Sequence, residues 1–214
     1  MKTRVWFLAC LMVFACSSVE AYTIFNRKQV DFWGGQWFPS AENPGSSQLV
    51  GPGVETNSGG LMAGWTYTYW MGKKLAVRAT VSGLFADIDV ASGPLGISSN
   101  MVMLSSFLSG LRYDLATGSV TPYVTAMVGP TFGFSMGTNI GFQNVEGVPI
   151  HQPGMGASIG GRLGGGVDIR LGERWHLGVN AGYHLKSRFS GFLVGREDYS
   201  GVELGVGIGR SWGH

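Results

Sequence analysis

Trp175-His176-Leu177-Gly178-Val179-Asn180-Ala181-Gly182-Tyr183-His184-Leu185-Lys186-Ser187-Arg188-Phe189 alternates with a period of two. Its odd positions, Trp175, Leu177, Val179, Ala181, Tyr183, Leu185 and Phe189, are apolar or aromatic, with Ser187 the one exception. Its even positions, His176, Gly178, Asn180, Gly182, His184, Lys186 and Arg188, are polar or glycine. A strand with this pattern has one face suited to hydrocarbon and one suited to water.

The pattern recurs along the chain. In 154–171, Ala157, Ile159, Leu163, Val167, Ile169 and Leu171 oppose Ser158, Gly160, Arg162, Gly164, Gly166, Asp168 and Arg170. In 123–136, Val124, Ala126, Val128, Pro130, Phe132 and Phe134 oppose Thr125, Gly129, Thr131, Gly133 and Ser135. In 75–85, Leu75, Val77, Ala79, Val81 and Phe85 oppose Arg78, Thr80 and Ser82. The segment 202–212 sets Val202, Leu204, Val206, Ile208 and Trp212 against Glu203, Gly205, Gly207 and Gly209. Segments 60–70 and 101–113 alternate less cleanly, and 30–38 is strand-like with faces that the sequence does not assign.

Eight strands are therefore predicted. The connections 71–74, 116–121 and 172–174 are short, whereas 39–59, 87–100, 137–153 and 190–200 are long. Long and short alternate strictly, which predicts up-and-down antiparallel hairpins with two unlike ends. In an outer-membrane barrel the short turns are periplasmic and the long loops extracellular.

Composition separates this barrel from a soluble sandwich. The 214 residues include 36 Gly, and only 13% are charged, fewer than a water-exposed outer surface needs. The polar face is rich in Gly, Ser and Thr, as a narrow eight-stranded lumen requires. Closure is obligatory in lipid, where an open strand edge would leave backbone groups unsatisfied. No window reaches 18 consecutive apolar residues, so no transmembrane helix is expected. The net charge of +2 lacks the basic stripe of a nucleic-acid binder.

Residues 1–21 form a predicted signal peptide, with Lys2 and Arg4 before an apolar core at 6–15, and Val19 and Ala21 at the cleavage positions. The competing reading is a lipobox at 13–16 that would acylate Cys16. Cleavage after Ala21 removes both cysteines, Cys10 and Cys16, and leaves 13 basic and 12 acidic residues on a barrel domain of 22–214. That mature chain has no thiol for disulfide, metal or nucleophile. Trp65, Tyr67 and Tyr69 approach the first short turn, Tyr113 and Tyr123 flank the second, Trp175 flanks the third, and Trp212 closes the last strand. These seven are the expected aromatic girdle.

With Thr121-Pro122-Tyr123-Val124 leading into a Gly-rich strand, and 164–171 followed by 175–183 as a last hairpin, the chain resembles the small Gram-negative outer-membrane barrels of the OmpA and OmpX superfamily. The resemblance implies an all-β, eight-stranded antiparallel up-and-down transmembrane barrel. It also implies outer-membrane lipid and lipopolysaccharide as surroundings, and periplasmic chaperones and the barrel assembly machinery as partners. Such barrels usually end on Phe or Trp, whereas this chain ends Ser211-Trp212-Gly213-His214, so Trp212 is the residue expected to be read.

The expected lumen set is Arg78, Arg112, Asp114, Arg162, Asp168, Arg170, His176, His184, Lys186, Arg188 and Glu203. Arg78 and Arg112 are expected roughly opposite each other, with a carboxylate such as Asp114, or one from across the lumen, between them, because facing like charges repel. Two readings compete: a lumen plugged by salt bridges and water, and a gate in which partners exchange. Catalysis of the lipid A deacylase kind would need a His and a Ser on one outward surface, but His184 and Ser187 have opposite parity. A palmitoyltransferase-like site lacks a loop His-Asp-Ser cluster, since His151 lies in a different loop from Asp87, Asp89 and Ser92. The Gly run at 160–166 has no following helix and suits a strand better than a phosphate loop. His151, His176, His184 and His214 lack metal-ligand spacing, and no cofactor is implied. Phe142, Pro149, Ile150, Phe192, Leu193 and Val194 give the outer end apolar character, for a loop-bound protein or apolar ligand or for packing of the loops on themselves. The leading expectation is a closed, non-enzymatic barrel with a structural or surface-interaction role. A narrow channel or small-ligand conduit of the OmpW kind is the runner-up, and a lipopolysaccharide-modifying enzyme the third.

Overall fold

The computed structural model describes residues 27–40, 59–91, 96–141, 154–186 and 199–213. Alternation becomes pairing throughout. The strands are β1 (Lys28–Pro39), β2 (Gly60–Trp70), β3 (Leu75–Ala91), β4 (Gly96–Asp114), β5 (Val120–Gly141), β6 (Gly154–Arg170), β7 (Trp175–Lys186) and β8 (Gly201–Trp212). Each pairs antiparallel with its sequence neighbour, and β1 pairs with β8 from Lys28↔Trp212 to Pro39↔Gly201, closing the barrel.

Tight turns join β2 to β3, β4 to β5 and β6 to β7, bonded at Met71 N to Leu75 O (2.9 Å), Leu115 N to Pro122 O and Leu171 N to Trp175 O (both 2.8 Å). In the third, Gly172 adopts φ 125°, a left-handed conformation that glycine takes without steric cost.

Phe32, Val77, Leu111, Val128, Leu163, Leu177 and Val206 point outward and are exposed. Thr66, Thr80, Ser106, Thr125 and Thr131 point inward and are buried. Two inward apolar groups complete the filling. Trp33, Trp37, Met62, Leu84, Val102, Leu104 and Tyr199 form one cluster on the β1–β4 side, towards the long-loop end. Ala76, Met127 and Leu108 lie nearer the short turns or the far wall. The apolar surface of this chain thus faces outward, as hydrocarbon requires.

Two expectations need correction. The predicted loop at 87–100 is mostly strand: β3 and β4 stay paired from Asp87↔Met101 to Ala91↔Ile97, and β4 pairs with β5 as far as Gly96↔Gly141. Asp87 and Asp89 stand on the odd parity that is apolar in 75–85, so the alternation reverses in the sequence while backbone pairing continues. The Asp, Ser and Asn residues there imitate a loop. Secondly, β1 starts at Lys28 rather than at 30, and its inward face, which the sequence left unassigned, is the odd one, Gln29, Asp31, Trp33 and Trp37. The signal-peptide reading, the apolar loop residues, His151, Ser187, Arg188 and His214 lie outside the described residues.

Candidate functional site: the filled lumen

Charged side chains in the lumen fall into two clusters. In the first, Glu203 on β8 is wholly buried and bonds both Arg162 Nη2 on β6 and His184 Nε2 on β7. Arg162 also donates to Asn180 Oδ1 at 3.2 Å. The register explains the meeting: Arg162 faces His184, and Glu203 faces Gly182, which has no side chain. A Cβ at Gly182 would stand 3.0 Å from Arg162 Nε, so the glycine makes room for the guanidinium.

The second cluster lies nearer the short turns. Arg112 Nε donates to Asp114 Oδ1 at 2.7 Å, and its Nη1 lies 2.7 Å from Asp168 Oδ2 across the lumen. Trp70 Nε1 donates to Asp114 Oδ2 at 3.1 Å. Asp31 accepts from Gln29 Nε2 at 2.8 Å, meets His176 Nε2 at 2.5 Å, and lies 3.7 Å from Arg78 Nη2. These pairings join β1 to β3 and β7, and β4 to β6, so they brace the cylinder across its width.

Arg78 and Arg112 are not opposite one another. Arg78 faces Gly110 and Arg112 faces Ala76, an offset of two positions. Each has its own carboxylate, and the Tyr123 ring lies beneath both, 3.8 Å from Arg112 Cζ and 5.2 Å from Arg78 Cζ. The ring's negative face is favourable for both guanidinium groups. This corrects the girdle, because Tyr123 is 4% exposed and belongs to the lumen. Its odd parity matches Thr125, which the proximity to a turn concealed. Trp65, Tyr113, Trp175 and Trp212 are exposed on the outer wall, and Tyr67 and Tyr69 are half-buried there. Trp65 stands higher than expected, opposite Val81 and Phe32.

Arg170 is also displaced from the expected set. It is exposed at the end of β6, because the strand runs out at the short turn before a partner can cover it. Lys186 lies in β7 opposite Gly160, but its side chain is outside the described residues. Reading the sequence missed Gln29, Asp31 and Trp70. A lone Asp between Val30 and Phe32 was a usable signal, but aromatics on both faces of β1, Phe32 and Phe38 against Trp33 and Trp37, obscured it.

Between the clusters is a cavity of about 20 Å³ bordered by Asp31, Arg78, Tyr123, Asp168, His176 and Asn180. That is the room of a single water molecule. At the short-turn mouth, Arg27 stacks 4.2 Å from the centre of the Trp70 ring. Burial there, helped by the neighbouring Arg170, holds the Arg27 guanidinium below its ordinary pKa.

No protein-family model matches the sequence, and no curated protein matches it significantly. Solved structures do match. The outer membrane protein OprG of Pseudomonas aeruginosa superposes with a TM-score of 0.55 at 15% identity, over 88% of this chain and 97% of that one. The attachment invasion locus protein Ail of Yersinia pestis, solved with the heparin analogue sucrose octasulfate, gives 0.51 at 10% identity, over 88% and 100%. Outer Membrane Protein W of E. coli gives 0.44 at 17% identity, over 89% and 100%. At these identities the likeness is one of fold: this chain has the architecture of the eight-stranded outer-membrane barrels. Closed backbone and outward apolar surface together put it in the bacterial outer membrane.

Proposed function

We propose that this outer-membrane barrel works through its wall and its outer surface, in a structural or surface-interaction role, with a lumen closed to solutes. One observation carries the reading. Paired charges fill the lumen on the β6–β8 side and near the short turns, and the Trp37–Tyr199 cluster fills it towards the long loops. A solute path would require separating buried ion pairs, which leaves charges uncompensated in a low-dielectric interior. Planar-bilayer recording of the purified chain tests this. Quiet bilayers are expected, and steady single-channel steps would instead favour the conduit reading.

The surface role rests on the hairpin extension. Residues 87–91 of β3 and 136–141 of β5 continue past their pairing with β2 and β6, so both outer edges lack a strand partner among the described residues. Such edges are where extended segments of other proteins add. Catalysis is disfavoured by the placement of His184, which is buried in the lumen against Glu203, away from any lipid substrate at the outer wall. Mass spectrometry of lipid A from cells with and without the protein should show one acyl pattern, and a changed pattern would establish an enzyme.

A further inference from the structure

The described part of the short-turn rim is strongly basic. Arg27, Lys28, Lys73, Lys74, Arg170, Arg174 and Arg210 lie there, and Glu173 is the one acidic residue of that rim that is not buried in the lumen. Two of the cations differ from the rest in where they stand. Arg210 is on the outward face of β8, directly opposite Trp175 on β7 and Val30 on β1, with its Cζ 5.9 Å from the centre of the Trp175 ring. Lys28 is on the same wall, opposite Trp212. The strand carboxylates whose side chains are described, Asp31, Asp114, Asp168 and Glu203, point into the lumen, and Asp87 and Asp89 lie at the opposite end of β3, so neither cation has a carboxylate partner among them.

Trp175, Trp212 and the half-buried Tyr69 mark the level at which the hydrocarbon ends. Lys28 and Arg210 stand at that level, where phospholipid phosphates lie. A soluble periplasmic partner would meet the turn tips, Lys73, Lys74 and Arg174, before the side of the wall. The uncharged turn at 115–119 leaves the β4–β5 side without such cations.

We propose that the β7–β8–β1 wall at the short-turn end binds the phosphates of anionic phospholipids in the periplasmic leaflet. Lys28 and Arg210 supply the charge, and Trp175 and Trp212 form the apolar floor against the upper acyl chain. The contact is made outside the lumen and is independent of whether the lumen conducts.

Native mass spectrometry of the full chain in a non-ionic detergent, titrated with phosphatidylglycerol and separately with phosphatidylcholine, tests the site. Phosphatidylglycerol should bind on the order of ten-fold more strongly, as expected for two surface cations meeting one anionic lipid. Lys28→Gln with Arg210→Gln should abolish that preference, whereas Lys73→Gln with Lys74→Gln should retain most of it. Heat-modifiability on a gel verifies folding, and Arg210→Gln alone, with part of the loss, serves if the double variant does not fold. Equal binding of the two lipids overturns the proposal. So does a preference that survives the Lys28 and Arg210 changes, or one reproduced by soluble glycerol 3-phosphate.

Discussion

At Gly209 the wall carries no side chain because Asp31 and His176 occupy the space that a methyl group would need. Gly209→Ala should therefore lower stability and disturb the Asp31–His176 contact, as urea titration of the barrel in lipid vesicles would record. Glu203 is sensitive for the opposite reason. Glu203→Gln removes the one carboxylate facing Arg162 and His184 and leaves the guanidinium buried without a counter-charge. The expected loss is about 3–5 kcal/mol, read from the same titration. On β7, Leu177→Arg or Val179→Arg puts a cation on the outward face and should cost up to about 2–4 kcal/mol with impaired assembly. Asn180→Ser, on the inward face next to them, loses one hydrogen bond to Arg162 and should cost about 1 kcal/mol or less. Equal effects at 179 and 180 would reverse the face assignment.

Strands were legible wherever one face meets lipid and the other the lumen. The segments 60–70 and 75–85 begin where β2 and β3 begin, and β7 and β8 fall within a few residues of their expected bounds. Legibility ended where that contrast ended, at 87–100. The lumen residues of β6, β7 and β8 could be assigned because Arg162, His184 and Glu203 are isolated polar residues between apolar ones. β1 resisted because tryptophans fill the lumen at Trp33 and Trp37 while phenylalanines face out. The partners themselves were not legible, since Asp31 with His176 and Arg112 with Asp168 depend on the register and width of a closed cylinder. The β3–β4 extension also yields a prediction. Replacing 87–101 with Asn-Gly places a two-residue hairpin turn between Ala86 and Val102, which are already a registered pair. Folding and heat-modifiability should be unchanged, while any binding to the β3 edge at 87–91 should be lost.

The whole molecule is stabilised by a continuous ladder with no open edge in the hydrocarbon, together with an interior held by cross-lumen pairs. The unboiled chain should therefore migrate differently from the boiled one on a detergent gel, and the mature chain should need detergent or lipid to stay dispersed. A monomer that remains soluble without either would contradict the outward placement of residues such as Val128, Leu163 and Val206.

Asp31 and His176 are 145 positions apart, one on the first strand and one on the seventh. Gln29 and Arg78, the other partners of Asp31, come from β1 and β3, so the first hairpins alone can supply them. The imidazole contact is different: it exists only where the two ends of the wall have been brought together. Its presence therefore marks a sealed cylinder, and a curled but open sheet would keep the guanidinium and amide contacts while lacking this one.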